Sequence, residues 1–134
     1  MRYKVLIDTN FFFIPFYERF DIIEELKNFL IERGIEYEGF YTLRKNIWEV
    51  ENKLKTTKSE NKRKLFKLVL DYIKKKDIRI LDSSLNEKTD RLIVSTVLKD
   101  KWIVCTLDRQ LRYILRRLKI PYIYYANRSL HIRW

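Results

Sequence analysis

The chain has little of most things that would place it in a specialised structural class. It has one cysteine in 134 residues, so neither an internal disulfide framework nor a cysteine zinc cage can form. It has two glycines and two prolines, which leaves no room for long flexible linkers. The single histidine, His131, lies near the end between Leu130 and Ile132 and is no candidate for catalysis. No apolar run approaches the length of a membrane span. The start, Met1-Arg2-Tyr3-Lys4-Val5, runs directly into an apolar segment with no signal-peptide pattern, so a cytoplasmic location is the expectation. Cys105 lies in an apolar run and reads as a small core residue.

What remains is a chain rich in hydrophobic residues (46%) and strongly basic, with a formal net charge of +11. Its length is that of one domain with one core, spanning residues 1–134. The positive charge is uneven. Residues 109–134 carry seven basic and no acidic residues, and residues 43–79 form a second basic block. Such blocks favour contact with phosphates.

Hydrophobic periodicity gives alternating strands and helices. Residues 3–7, 78–81, 102–106 and 121–125 read as short buried strands, and 36–41 as a further short strand. Residues 10–17 begin a helix around Pro15. Residues 22–33 form a helix capped by Asp21 and stopped at Gly34. Helices are also expected over 43–54, over a stripe through Leu65, Leu68, Val69, Tyr72 and Ile73, over 86–99 and over 108–119. Leu111, Ile114, Leu115 and Leu118 would face inward on the last of these. The class that follows is α/β, with a mostly parallel central sheet flanked by helices.

Against the basic background, four acids stand at the edges of apolar runs. Asp8 ends Val5-Leu6-Ile7, Glu49 sits in Ile47-Trp48-Glu49-Val50, Asp90 opens Leu92-Ile93-Val94, and Asp108 closes the run from Trp102 to Leu107. Carboxylates in such places are unfavourable unless paired or bound to a cation. In open α/β sheets, sites form beyond the carboxyl ends of the strands, which is where Asp8 and Asp108 fall. An acidic cluster inside a basic shell points to a divalent-metal site acting on a polyanion. Mg²⁺ or Mn²⁺ suits oxygen ligands of this kind. Glu51 competes with Glu49, but the two point about 200° apart on a helix, and Glu49 has the apolar neighbours. Arg109, Arg112, Arg116 and Arg117 offer a basic helix face to the phosphates of such a polyanion.

Four segments carry a resemblance. Val5-Leu6-Ile7-Asp8-Thr9-Asn10, Ile47-Trp48-Glu49-Val50, Thr89-Asp90-Arg91-Leu92-Ile93, and Val104-Cys105-Thr106-Leu107-Asp108-Arg109-Gln110-Leu111 resemble, in order and separation, the motifs of PIN-domain ribonucleases. Archaeal members of the VapC-toxin type are the most similar in aspect, followed by endonucleases of ribosomal RNA processing. The resemblance implies a PIN-like fold and metal-dependent endoribonuclease activity. It implies Mg²⁺ or Mn²⁺ held by Asp8, Asp90 and Asp108, with Glu49 as a further ligand or as the group positioning the attacking water. Asn10 and Thr106 would orient the carboxylates. RNA is the implied substrate, and an antitoxin, a ribosome-assembly partner or a second copy the implied partner. The aromatic segment Phe11-Phe12-Phe13 with Phe16 and Tyr17 serves either the surface of such a dimer or the core. Many members have a second Asp where this chain has Arg91. That departure supports an alternative, a non-catalytic RNA-binding module of a larger assembly. A phosphatase-like or receiver-like domain with Asp8 as phosphoacceptor is a weaker alternative, because Asp8-Thr9-Asn10 lacks a second Asp two residues on.

Overall fold

The computed structural model describes residues 2–134. Six strands, β1 (Tyr3–Ile7), β2 (Tyr37–Leu43), β3 (Ile78–Leu81), β4 (Trp102–Cys105), β5 (Tyr122–Ala126) and β6 (Ser129–Arg133), form one sheet in the order β3-β2-β1-β4-β5-β6. The first five are parallel, and β6 is antiparallel to β5. The helices are α1 (Ile14–Glu18), α2 (Ile22–Glu32), α3 (Arg44–Thr56), α4 (Glu60–Lys75), α5 (Thr89–Val97) and α6 (Arg109–Arg117).

The central strands are continuous apolar runs because both faces of the sheet are covered. Side chains alternate between the faces. Val5 and Ile7 of β1 join Ile103 and Cys105 of β4 in a core completed by α2, α3, α4 and the segment after β1. Leu6 and Val104 face the other way, into a core with Leu92, Ile93 and Val97 of α5 and Leu111 and Leu115 of α6. The Cys105 thiol is fully buried, and burial raises its pKa well above the usual thiol range, so it is packing and not a nucleophile.

Local signals explain the boundaries. Pro15 stands in the first turn of α1, where its missing N–H is harmless, and a 3-10 turn over Thr9–Phe13 precedes it. Gly34, at φ +66°, closes α2; its N–H donates to the Ile31 carbonyl and that of Ile35 to Leu30. Asp21 caps α2, its Oδ1 accepting from the Ile23 and Glu24 amides. The same carboxylate takes the Tyr72 hydroxyl and the Lys76 ammonium from the end of α4. Burial would raise the pKa of Asp21, but the hydrogen bonds from Lys76 and Tyr72 outweigh it and hold it below the usual carboxylate range. Tyr72→Phe therefore removes a charge-assisted bond between two helices. It is expected to lower stability by about 1.5–3 kcal/mol, read by urea denaturation; an unchanged midpoint would show that the Lys76 pair alone holds the helices.

Two expectations are corrected, and one open alternative is decided. The strand β6 is missing from the sequence reading. It is a hairpin partner of β5 across Asn127-Arg128, both at positive φ (52° and 59°). Such a turn ordinarily announces itself with glycine, and here neither residue is one. His131 lies within this hairpin, with Nε2 3.0 Å from the Ala126 carbonyl and its ring stacked on Tyr124. Leu68 and Leu118 are exposed, so the apolar stripes of α4 and α6 are narrower than their sequence suggests. Phe11, Phe12 and Phe13 are core residues and cannot form a dimer surface; Tyr17 alone of that segment is well exposed, at 68%.

Candidate metal centre

The strand order changes direction at β1, with β2 on one side and β4 on the other. Chain connections leave the carboxyl ends of these neighbours on opposite sides and open a crevice between them. Asp8 is the first residue beyond β1 and is buried. Its Oδ1 accepts from the Thr9 amide at 2.8 Å and from Asn46 Nδ2 at 3.1 Å, and its Oδ2 from the Thr106 hydroxyl at 2.8 Å. Its own amide donates to the Cys105 carbonyl and ties it to the end of β4. Burial pushes its pKa from 3.8 up to about 6. The Thr106 and Thr9 donors oppose that rise, and the charges of Glu49 and Asp108 add to it.

Asp108 begins α6. Its Oδ1 accepts from the Gln110 and Leu111 amides at 2.8 and 3.0 Å, which occupies one oxygen in capping the helix. The Asp108 amide donates to the Thr106 hydroxyl oxygen at 3.1 Å, so a single threonine orients both aspartates. Glu49 comes from α3. Its Oε1 accepts from the Thr9 hydroxyl at 2.7 Å. Glu51 is exposed and borders a separate cavity with Leu70, Ile73 and Lys74, away from the crevice. Asp90, in the first turn of α5, is half-buried. Burial raises its pKa, the charges of Asp108 and Glu49 raise it further, and Lys88 acts in the opposite direction. The loop leading to it is fastened to α3: the Lys45 ammonium donates to the Leu85 carbonyl at 2.7 Å and the Lys45 amide to Ser83 Oγ at 3.0 Å.

The charges of Glu49 and Asp108 thus act on both Asp8 and Asp90, which links the four acids. The ion pairs of the described residues use Glu38, Asp100, Glu24, Glu60 and Asp21, and none of these four. A divalent cation with hard oxygen ligands fits such a donor set. Among the described residues no three acidic, histidine or cysteine side chains stand close enough to enclose an ion by themselves. The fit is to an open, partly hydrated ion, not to a closed cage.

Two residues to which the sequence reading gave no role, Asn46 and Thr9, organise the site. Asn46 is buried and uses both ends of its amide. Nδ2 donates to Asp8 Oδ1 and, at 2.8 Å, to Thr9 Oγ1, while Oδ1 accepts from the Leu43 amide at 3.1 Å and lies 3.2 Å from the Thr42 hydroxyl. Thr9 passes the connection on to Glu49. The signal was present: Asn46 and Glu49 are three residues apart, hence on one helix face. Asn10, expected to orient the carboxylates, is exposed and makes no hydrogen bond to any of them; Thr9 and Asn46 take that place, because the 3-10 turn points Asn10 out of the crevice into a neighbouring cleft. Arg91, in place of the second Asp, is exposed.

The basic helix divides. Arg109, Arg112 and Arg116 line a shallow cavity of about 220 Å³ with Tyr113 and Tyr122. The Arg112 guanidinium lies over the Tyr124 ring, 5.0 Å from its centre, and its buried Nε has no hydrogen-bond partner. Arg117 instead donates to the Tyr113 hydroxyl at 3.3 Å and does not line the cavity. No helix among the described residues is long and apolar enough to cross a membrane.

No protein-family model and no curated protein sequence matches the chain. Among solved structures, the chain is similar to the PIN domain endonuclease Utp24, with a TM-score of 0.77 and 22% identity over 98% of this chain and 91% of that one. The fold is that of a PIN domain.

Proposed function

From the PIN-domain fold and its acidic crevice, we propose that the chain acts as a single-domain, metal-dependent endoribonuclease. The observation that carries this reading is the set of four carboxylates at the topological switch point, none paired with a cationic side chain, in a chain of net charge +11. Structural charge clusters of like sign are unfavourable and persist where a ligand uses them. Asp8, Asp90 and Asp108 would hold Mg²⁺ or Mn²⁺ directly or through water, with Glu49 as a further ligand or the acceptor that orients the attacking water. A bound ion of this type makes water nucleophilic at neutral pH and stabilises the charge developing on a phosphodiester.

The protein's own part is orientation. Thr106, Asn46 and the Thr9 amide fix both oxygens of Asp8 in a buried setting. Thr9 holds one oxygen of Glu49, and the other takes no hydrogen bond from the described residues. Asp108 gives one oxygen to the helix cap and keeps the second. The first turn of α6 follows directly, so Arg109 and Arg112 stand beside the acids and meet the phosphates that flank the scissile one. Both a toxin-type role under an antitoxin and an RNA-processing role beside a ribosome-assembly partner accommodate this site.

The decisive experiment is cleavage of a structured RNA with Mn²⁺ or Mg²⁺, with EDTA, and by Asp8→Asn. Cleavage by the wild type alone, and only with metal, is the expected result. RNA binding without cleavage under every metal condition would favour the non-catalytic binding module, the reading that Arg91 and the open acidic shell support. A second expected outcome concerns α6. Arg109→Gln with Arg116→Gln, both exposed, should flatten the dependence of log affinity on log salt by about 1.5 for single-stranded RNA. An unchanged slope would place the backbone contact elsewhere.

A further inference from the structure

Next to the acidic crevice lies a cleft of about 580 Å³ that the carboxylates do not explain. Asn10, two residues after Asp8, and Leu107, one before Asp108, line it, so it adjoins the segments that carry two of the acids. Its walls carry Phe13 and Tyr17, their rings stacked at 6.4 Å with 25° between planes. Lys53, with its ammonium 5.8 Å from the centre of the Phe13 ring, and Lys62 supply charge. No acidic residue lines it.

This composition is selective. An aliphatic groove for a partner helix has no use for two lysines without counter-charge, and a simple phosphate site has no use for a ring as exposed as that of Tyr17, 68% accessible. Aromatic faces for bases combined with cations for the backbone are what an unpaired nucleic-acid strand requires. The volume lies in the range of sites that take one small-molecule-sized group.

We propose that this cleft is a stacking subsite for one unpaired nucleotide of the RNA, lying against Tyr17, with Lys53 and Lys62 on its flanking phosphates. The proposal rests on the ribonuclease reading and adds to it a base-stacking position built by Tyr17 outside the acidic crevice. A duplex cannot present a free base face to Tyr17, whereas a loop or an unpaired end can. The pairing of two lysines with an exposed aromatic ring favours an RNA strand, whose phosphates meet the charge while a base meets the ring.

The test uses the whole chain, a fluorescently labelled single-stranded RNA octamer, and a duplex of the same sequence. Tyr17→Ala should weaken octamer binding about 5- to 100-fold and leave duplex binding within twofold, and Tyr17→Trp should restore the octamer affinity. Because Tyr17 is exposed, these variants keep the fold, which circular dichroism confirms. In parallel, an octamer with 5-iodouridine at successive positions should photo-crosslink to Tyr17 or Phe13. Octamer affinity unmoved by Tyr17→Ala, equal loss on duplex, or crosslinks confined to α6 overturns the subsite. The two readings fail separately: Tyr17-dependent binding without cleavage sinks only the nuclease, and metal-dependent cleavage with Tyr17-independent binding sinks only the subsite.

Discussion

Asp8→Asn is expected to abolish metal-dependent cleavage, by at least two to three orders of magnitude, and at the same time to make the metal-free protein more stable. The two effects share one cause. Asp8 is 7% exposed and its pKa stands at about 6, because burial and the charges of Glu49 and Asp108 disfavour the ionised form. An acid whose pKa is raised on folding stabilises the fold below its unfolded value of 3.8, and that contribution disappears as pH climbs through about 6. At pH 7 the shift of roughly two units corresponds to about 3 kcal/mol of unfavourable free energy. Asparagine keeps the shape. Its oxygen can accept from the Thr9 amide and Asn46, and its amide can donate to Thr106 Oγ1 after the hydroxyl proton rotates.

The variant should therefore unfold at higher urea than wild type at pH 7 without metal, by about 1–3 kcal/mol, with the difference shrinking below pH 5. Added Mn²⁺ should raise the wild-type melting temperature and move the variant's far less, since only a ligand that binds the folded site shifts the equilibrium. A variant no more stable than wild type at pH 7 would mean that Asp8 is already neutral or solvated in the free protein. Retained cleavage would remove Asp8 from the metal site.

The fold class was legible in the sequence because parallel strands covered on both faces leave an unmistakable record: short continuous apolar runs at Val5–Ile7 and Trp102–Cys105, separated by helical stripes. The acids were legible for a related reason. Asp8 and Asp108 interrupt such runs, and a charge at a strand end needs a physical explanation. What escaped were features decided by neighbours in space. The hairpin to β6 depends on two non-glycine residues adopting positive φ, a choice enforced by strand pairing and by the His131 contact to Ala126. Asn10 looked like part of the acidic motif, yet one turn of 3-10 helix rotates it into the neighbouring cleft and leaves Thr9 facing Glu49. The arginines of α6 formed one block in the sequence, but the 100° step between residues sets Arg117 against Tyr113 and away from Arg109, Arg112 and Arg116.

Asn46 is the residue whose importance only the fold reveals, and its replacement carries the other large effect. It joins the end of β2, at Leu43, to the segment beyond β1, at Asp8 and Thr9, and Thr9 carries the connection on to Glu49. Asn46→Ala leaves the Leu43 amide without its partner, takes one donor from an already strained carboxylate, and frees the Thr9 hydroxyl to swing away from Glu49. Stability should fall by about 2–4 kcal/mol. Cleavage should fall about 10- to 100-fold, in line with the loss of an outer partner of a metal ligand. A fall in stability alone would not separate a structural role from orientation of the site, and Asn46→Asp does. It can still accept from Leu43, but it sets a second carboxylate against Asp8 Oδ1, where Nδ2 stood at 3.1 Å. The two acids cannot both ionise cheaply at that distance, so one keeps its proton to higher pH. Urea denaturation should then show a deficit relative to wild type that is large at pH 8 and shrinks towards pH 5, where a shared proton restores the donor. A deficit independent of pH would mean that Asn46 supports the end of β2 and not the charge of Asp8.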